Sequence, residues 1–484
     1  MTNTLPAAFL AAPILTAAVT LPLAAMVAVA RLKDESHARA VTISALAGVL
    51  LLGLEALREV TLAGGVLLSE SWSSGLGAQW LAVDGLSGIL MALFPALALV
   101  SLIGAPRREV DRRLLVSTLI VVSATFVAYL SQNLLTLVVG WTGSLLPLLL
   151  RGKREGWPFV SRLTMTGSAV LLGVAAGLSG ITGADTGLTI SSLDSLSFAT
   201  LTHSNANPFV LTLLVTAAFL RAGIFPAHRG VTAAMGGGTM LLSTLLMNSH
   251  PGLFLVARLV VPVFREQASF ALPWIFGLSI FTALYMAIMG LAGRKPDVLL
   301  ATVFVSQSAG LLAGLVTGTP EGVTGALLQW LVLAICSTVL AVVYRSLAAR
   351  TGDSAGEEPY MGLAGRTPRF AAFFAISALA LVGMPGTLGF AGEDLLMHGA
   401  LSVHPWLGAA LPIAIALNAY HVFRLFAHLF LGKQNSAFAG VRDALPRERW
   451  TLSACLLLLL CLGVMPSLAL LLRAPAAHAI LGTR

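Results

Sequence analysis

Leu220-Arg221-Ala222-Gly223-Ile224-Phe225-Pro226-Ala227-His228 closes an apolar run that begins near residue 207. An arginine, a glycine, a proline and a histidine stand where a membrane helix would otherwise continue. Proline removes a backbone donor, so the polar groups freed by such a break must face protein or a water-filled cavity. Gly383-Met384-Pro385-Gly386-Thr387-Leu388-Gly389-Phe390 interrupts a later apolar run in the same way, and Glu393 and Asp394 follow it. Broken apolar helices with ionisable residues beside the break, at Pro226 and Pro385, point to an ion site near the middle of a membrane.

The composition agrees. Of 484 residues, 57% are hydrophobic and only 10% charged, against about 25% charged in soluble domains. Most of this surface cannot face water, which excludes a soluble enzyme, a nucleic-acid-binding protein and a disordered scaffold. A span needs about 20 apolar residues. That rule predicts spans near 6–30, 40–57, 82–104, 114–130, 132–150, 162–183 and 207–226. A second set lies near 237–263, 272–293, 297–317, 322–344, 370–396, 405–431 and 450–473. The fold expected is an all-α polytopic membrane protein of about 14 transmembrane helices.

Charge placement supports this count. Most of the 29 Lys and Arg residues fall in loops after odd-numbered spans, such as Arg107, Arg108, Arg112 and Arg113. Cytoplasmic loops collect such residues, so both termini are expected on the outer, periplasmic side of the inner cell membrane. Met1 to Ala30 lacks a basic lead before its apolar core and reads as a retained first span. Cys336, Cys455 and Cys461 give neither a disulfide framework nor a zinc spacing. Gly183–Pro208 reads as an external loop, and Arg345–Arg369 as a cytoplasmic connector between two halves. Gly236–Gly238 lacks the Lys-Ser/Thr of a phosphate loop and reads as a flexible lead-in to a span. No metal or cofactor is expected.

The organisation expected is an N-terminal unit of three helices over 1–113, then two inverted five-helix repeats over 114–263 and 272–431, then a C-terminal helix within 450–484. Helices 7 and 12 carry the breaks. A charge at mid-membrane costs at least about 2.5–3.5 kcal/mol, so each one needs a reason. The candidates for a proton or ion pathway are Arg221, His228, His250, Glu393, Asp394 and Arg424. Asp84, Lys295 and Asp297 are expected in structural polar roles. Plainer readings stand beside these. Arg221 is near a span end and can snorkel to the surface. His250 precedes Pro251 and reads equally well as a packed histidine. Glu393 reads also as a solvated carboxylate, and Asp84 beside Trp80 as an interfacial anchor. His421, Arg424 and His428 share a helix face, which suits anchoring to neighbouring helices or headgroups.

Several stretches resemble the antiporter-like membrane subunits of respiratory complex I and the related Mrp-type cation/proton antiporter subunits. They run in order from Asp84-Gly85-Leu86-Ser87 through Asn133-Leu134-Leu135-Thr136-Leu137 with Gly140-Trp141, then Arg221 to Phe225-Pro226 and His228. Leu300-Ala301 with Ser306-Gln307, Gly383-Met384-Pro385-Gly386 to Glu393, and Arg424-Leu425-Phe426 to Gly432 complete the series. The resemblance implies fourteen spans and a proton relay of a Glu on span five, a Lys on span seven, a Lys or His on span eight and a Lys or Glu on span twelve. Here the match is partial. The span-five Glu falls on Thr142, the span-seven Lys on Arg221 and the span-eight position near His250. Gln329 stands where the family has a further Lys, while Glu393 keeps its charge. Lys295 and Asp297 exchange the acidic and basic members of an Asp-x-Lys motif. A Lys–Glu pair lets one charge tune the proton affinity of the other. Thr142 cannot do so, and Arg221 holds its proton too tightly.

Three functions fit this pattern. One is a subunit of a hetero-oligomeric membrane complex that moves protons or Na⁺ with other integral membrane subunits and lipid as partners. A second is a subunit of an inorganic carbon (bicarbonate or CO₂) uptake complex. A third is a structural subunit that fills a membrane arm without conducting. In none does this chain hold a catalytic centre, and an oxidoreductase label would belong to the complex.

Overall fold

The computed structural model describes residues 7–65, 68–70, 80–151, 158–182, 198, 207–236, 240–293, 295–352, 360–434 and 436–482. Most of the expected external loop (183–197 and 199–206), part of the triple glycine and part of the expected connector (353–359) lie outside these residues. Among the described residues, ten helices are long and apolar enough to cross a membrane, and up to eleven if one bent pair is a single span. Three further apolar helices of 10–17 residues accompany them.

The chain opens with α1 (Ala7–Arg31) and α2 (Glu35–Leu62). Asp34 caps α2 by accepting from the Ser36 N–H and hydroxyl, and it also contacts His37. Those bonds hold its carboxyl down at about 2, led by the Ser36 hydroxyl. β1 (Leu68–Glu70) and β2 (Leu81–Val83) then pair antiparallel, with Leu68 opposite Val83. Apart from this short pairing the described residues are almost entirely helical, as expected. The three residues of β2 are buried against the helices.

α3 (Ser87–Gly104), α4 (Arg112–Leu130), α5 (Leu134–Arg151) and α6 (Phe159–Thr182) follow. α7 (Pro208–Ala222) ends at Gly223, whose φ of 75° closes the helix, and α8 (His228–Met235) resumes after the break. α9 (Met240–Asn248) stops at His250. α10 runs from Pro251 through a π-helical turn at Val256–Val260 to Val263. α11 (Arg265–Ala292), α12 (Pro296–Leu315) and α13 (Pro320–Thr351) come next. α13 forms the centre of the body, its apolar window fully buried. α14 (Pro368–Leu381) and α15 (Leu388–Val403) flank the second break, where Gly383 and Gly386 take positive φ. α16 (Ala410–Phe430), α17 (Pro446–Val464) and α18 (Pro466–Leu481) complete the chain.

The expected single span over 450–473 is corrected here. α17 and α18 meet at an angle of 86°, because Pro466 cannot continue the helical hydrogen-bond ladder. The expected span over 237–263 is present as Met240–Val263, with its helix interrupted inside it. His250 adopts φ 37° and ψ 49°, and the proline that follows it disfavours the right-handed helical conformation.

Candidate functional site

Both breaks anticipated from sequence occur, and each lies beside a buried ionisable side chain. Arg221 sits in the last turn of α7 and is 2% exposed. Its guanidinium lies over the Trp141 ring at 5.7 Å, and Nη2 donates to Ser144 Oγ at 2.9 Å. Snorkelling is therefore not its role. Trp141 and Ser144, three apart on α5, share the face turned to Arg221. Thr142 is rotated away and only half-buried. Ser144 was not anticipated; the i, i+3 relation to Trp141 is the signal that points to it.

His250 is also buried, and its ring meets Trp330 of α13 edge-on at 5.7 Å. One narrow cavity is lined by both Arg221 and His250. Tyr129 of α4 donates to the Ser249 carbonyl at 2.6 Å and so ties α4 to this third break. Asn248 beside it is fixed by α13, donating to Ala334 O and Thr338 Oγ1 and accepting from Ser337. His228 opens α8, half-buried, stacked on Phe225 and edge-on to Tyr285.

Glu393 is 7% exposed, in the second turn of α15. Gln329 Nε2 donates to its Oε1 at 3.2 Å, and Gln307 Nε2 donates to the nearby Leu381 carbonyl at 3.1 Å. Gln329 and Trp330 are adjacent on α13. That helix thus touches His250 through Trp330 and Glu393 through Gln329, so a row of separate contacts leads from Ser144 and Arg221, past the cavity shared with His250, to Gln329 and Glu393. A solvated Glu393 is not what the burial describes.

Other anticipated residues stand apart from this row. Asp394 is half-exposed and faces His398 at 3.5 Å. Arg424 donates to the carbonyls of Leu291, Gly290 and Gly293. It thereby satisfies the C-terminal carbonyls of α11. His421 Nε2 lies 2.6 Å from Ala287 O on the same helix. This face of α16 fits the anchoring reading. Lys295 is exposed at the N-cap of α12, and Asp297 Oδ1 accepts from the Val298 N–H, so both are helix-start residues.

Asp84 caps α3 by accepting from the Leu86 and Ser87 amides, and it pairs with Arg258 in the π-helical turn of α10. Both line a cavity of about 320 Å³ with Gln132, Phe198 and Ala476. A double-mutant cycle on Asp84→Ala and Arg258→Ala should give a coupling of about 1–2 kcal/mol, because the pair is mostly shielded from water. Strictly additive thermal shifts would show the contact to be without weight. Arg473, absent from the sequence expectations, is fully buried in α18 and donates to Leu86 O at 3.3 Å. The bend at Pro466 turns it inward.

Residues 131–417 match the family described as NADH:quinone oxidoreductase/Mrp antiporter, TM. The chain belongs to this family. It is similar to NADH-quinone oxidoreductase subunit 13 of Thermus thermophilus, with 28% identity over 405 residues covering 81% of this chain and 83% of that protein. Its fold is similar to a chain of respiratory complex I from Thermus thermophilus at TM-score 0.82 and 24% identity, covering 97% of this chain and 99% of that one. It is equally similar to a chain of the Mrp complex from a Dietzia species, at TM-score 0.82, 17% identity and 97% of each chain.

Proposed function

We propose that the chain is an antiporter-like membrane subunit that moves protons within a larger membrane complex, beside other integral membrane subunits. The observation that carries this reading is Glu393. It is a carboxylate buried at a helix break, held by an uncharged glutamine, in a family of membrane subunits named for quinone reduction and antiport. Buried intramembrane carboxylates are costly and mark ion or proton paths.

The path runs along the row of Arg221, His250, Gln329 and Glu393, with His228 at the mouth of the first break. Asp394 and Arg424 lie outside it, for the contacts given above. Gln329 leaves the row uncharged where the resemblance implies a Lys, and Thr142, turned away from Arg221, adds no charge, so transfer at these points uses water. The ten long helices, the bent pair and the shorter apolar helices are compatible with fourteen crossings, and the paired breaks support two inverted repeats over 114–263 and 272–431. The basic loops support termini on the outer side.

The test is proton flux into vesicles holding the chain with its co-purifying subunits, driven by a potassium diffusion potential and read by an internal pH dye. Uptake above that of protein-free vesicles, unchanged when choline replaces sodium, supports the reading. Flux equal to protein-free vesicles overturns it, and strict sodium dependence moves the cargo to Na⁺.

A further inference from the structure

The cavity beside Arg221 has a chemical character that a proton path does not require. It lies among α7, α8, α9, α12 and α13, and its wall includes Arg221, Thr244, Asn248, His250 and Ser308. Arg221 uses only Nη2 on the protein; Nε and Nη1 are buried without a partner. Thr244 Oγ1, Ser308 Oγ and His250 Nε2 are buried and unpartnered as well. Five polar atoms on four side chains therefore converge on one small space. Two are guanidinium N–H groups, which only donate, two are hydroxyls, and the fifth is an imidazole nitrogen. No carboxylate lines the cavity.

A buried cation without a counter-charge is among the most costly arrangements a protein interior can hold. Water alone would satisfy the donors and leave the charge uncompensated. The room available is about 20 Å³ for the centres of water-sized spheres, where one such sphere needs roughly 10–15 Å³. The space thus suits a single small particle. The remaining wall, with Ala222, Val231 and Phe304, is apolar and suits a weakly hydrated ion.

We propose that this cavity is a binding site for one small inorganic monovalent anion of the size of chloride, held by the Arg221 guanidinium and the Ser308 and Thr244 hydroxyls. Bound there, the anion supplies the negative charge for Arg221 that Thr142 cannot. It also places an electrostatic control beside His250.

Chloride itself is the probe. The full chain, purified with its associated subunits, is melted in sodium chloride and in sodium gluconate at equal ionic strength. A ligand that binds only the folded state raises stability with its concentration. The wild type is therefore expected to show a saturable rise in Tm as chloride replaces gluconate. Ser308→Ala should need several-fold more chloride for the same rise, and Arg221→Gln should show none. Should Arg221→Gln fail to fold, Ser308→Ala and Thr244→Val carry the test by the same displaced titration. A wild-type Tm indifferent to the anion overturns the proposal, as do variants that titrate like the wild type. Melting needs no transport, so this result and the flux result stand or fall separately.

Discussion

Glu393→Gln is expected to lower proton flux by roughly 100-fold, the low end of the roughly 10²–10⁴-fold range that a positioned proton-transfer group contributes, while the protein keeps its fold. The argument rests on what the substitution preserves. Glutamine has nearly the volume of glutamate, and its amide oxygen accepts from Gln329 Nε2 as the carboxylate oxygen does. The change in stability should stay within about 1 kcal/mol, the net worth of an ordinary hydrogen bond. Only the exchangeable proton is lost. Glu393→Asp keeps that proton but draws the carboxyl back by one methylene from Gln329, so its flux should fall between the two. Wild-type flux in Glu393→Gln would make the carboxylate a packing group. A parallel loss of flux and Tm would say the same, because a relay residue changes rate without changing the body around it.

The residues in that argument were legible in the sequence to different degrees. Arg221, His250 and Glu393 stand out because ionisable groups inside apolar runs are few and each requires a partner or a cavity. What surrounds them was less legible. The face of α5 that meets Arg221 depends on helix rotation, which brings Ser144 rather than Thr142 to the guanidinium. Arg473 ends an apolar run, where snorkelling is the ordinary expectation, and only the 86° bend at Pro466 carries it inside. The break at His250 was hidden for a related reason. Proline is tolerated within membrane helices when neighbours satisfy the freed groups, so His250-Pro251 alone did not announce a left-handed residue. Arg424 illustrates the converse. Its charge drew attention, but the three carbonyls at the end of α11 account for it.

Gly325→Ala is expected to destabilise the protein by about 1–3 kcal/mol, the cost of forcing one methyl group into a close-packed interface. The same substitution at Gly277 should be neutral or stabilising. Glycine is poor inside helices, and alanine normally gains about 0.5–1 kcal/mol there. A Cβ at Gly277 would meet nothing within 4 Å, so the helical gain stands unopposed. At Gly325 the Cβ would press on the backbone of α15, including Gly392 O at 2.8 Å. Gly322 and Gly399 face each other on the same seam, and a Cβ at Gly314 would meet Gly322 O at 3.0 Å. Small residues let α13 and α15 approach this closely, as membrane helices do where apolar burial supplies no drive. The seam also sets the proton row. Gly392 precedes Glu393 and packs on Gln329, with its would-be Cβ 3.0 Å from Gln329 Oε1. Gly392→Ala should therefore lengthen the bond between Gln329 and Glu393 and lower flux more than it lowers Tm. Gly325→Ala should lower both, since it parts the helices along the seam. Thermal melting and vesicle flux on the three variants decide the matter. Equal Tm values for Gly277→Ala and Gly325→Ala would show that the seam yields freely, and that the position of Glu393 is set elsewhere.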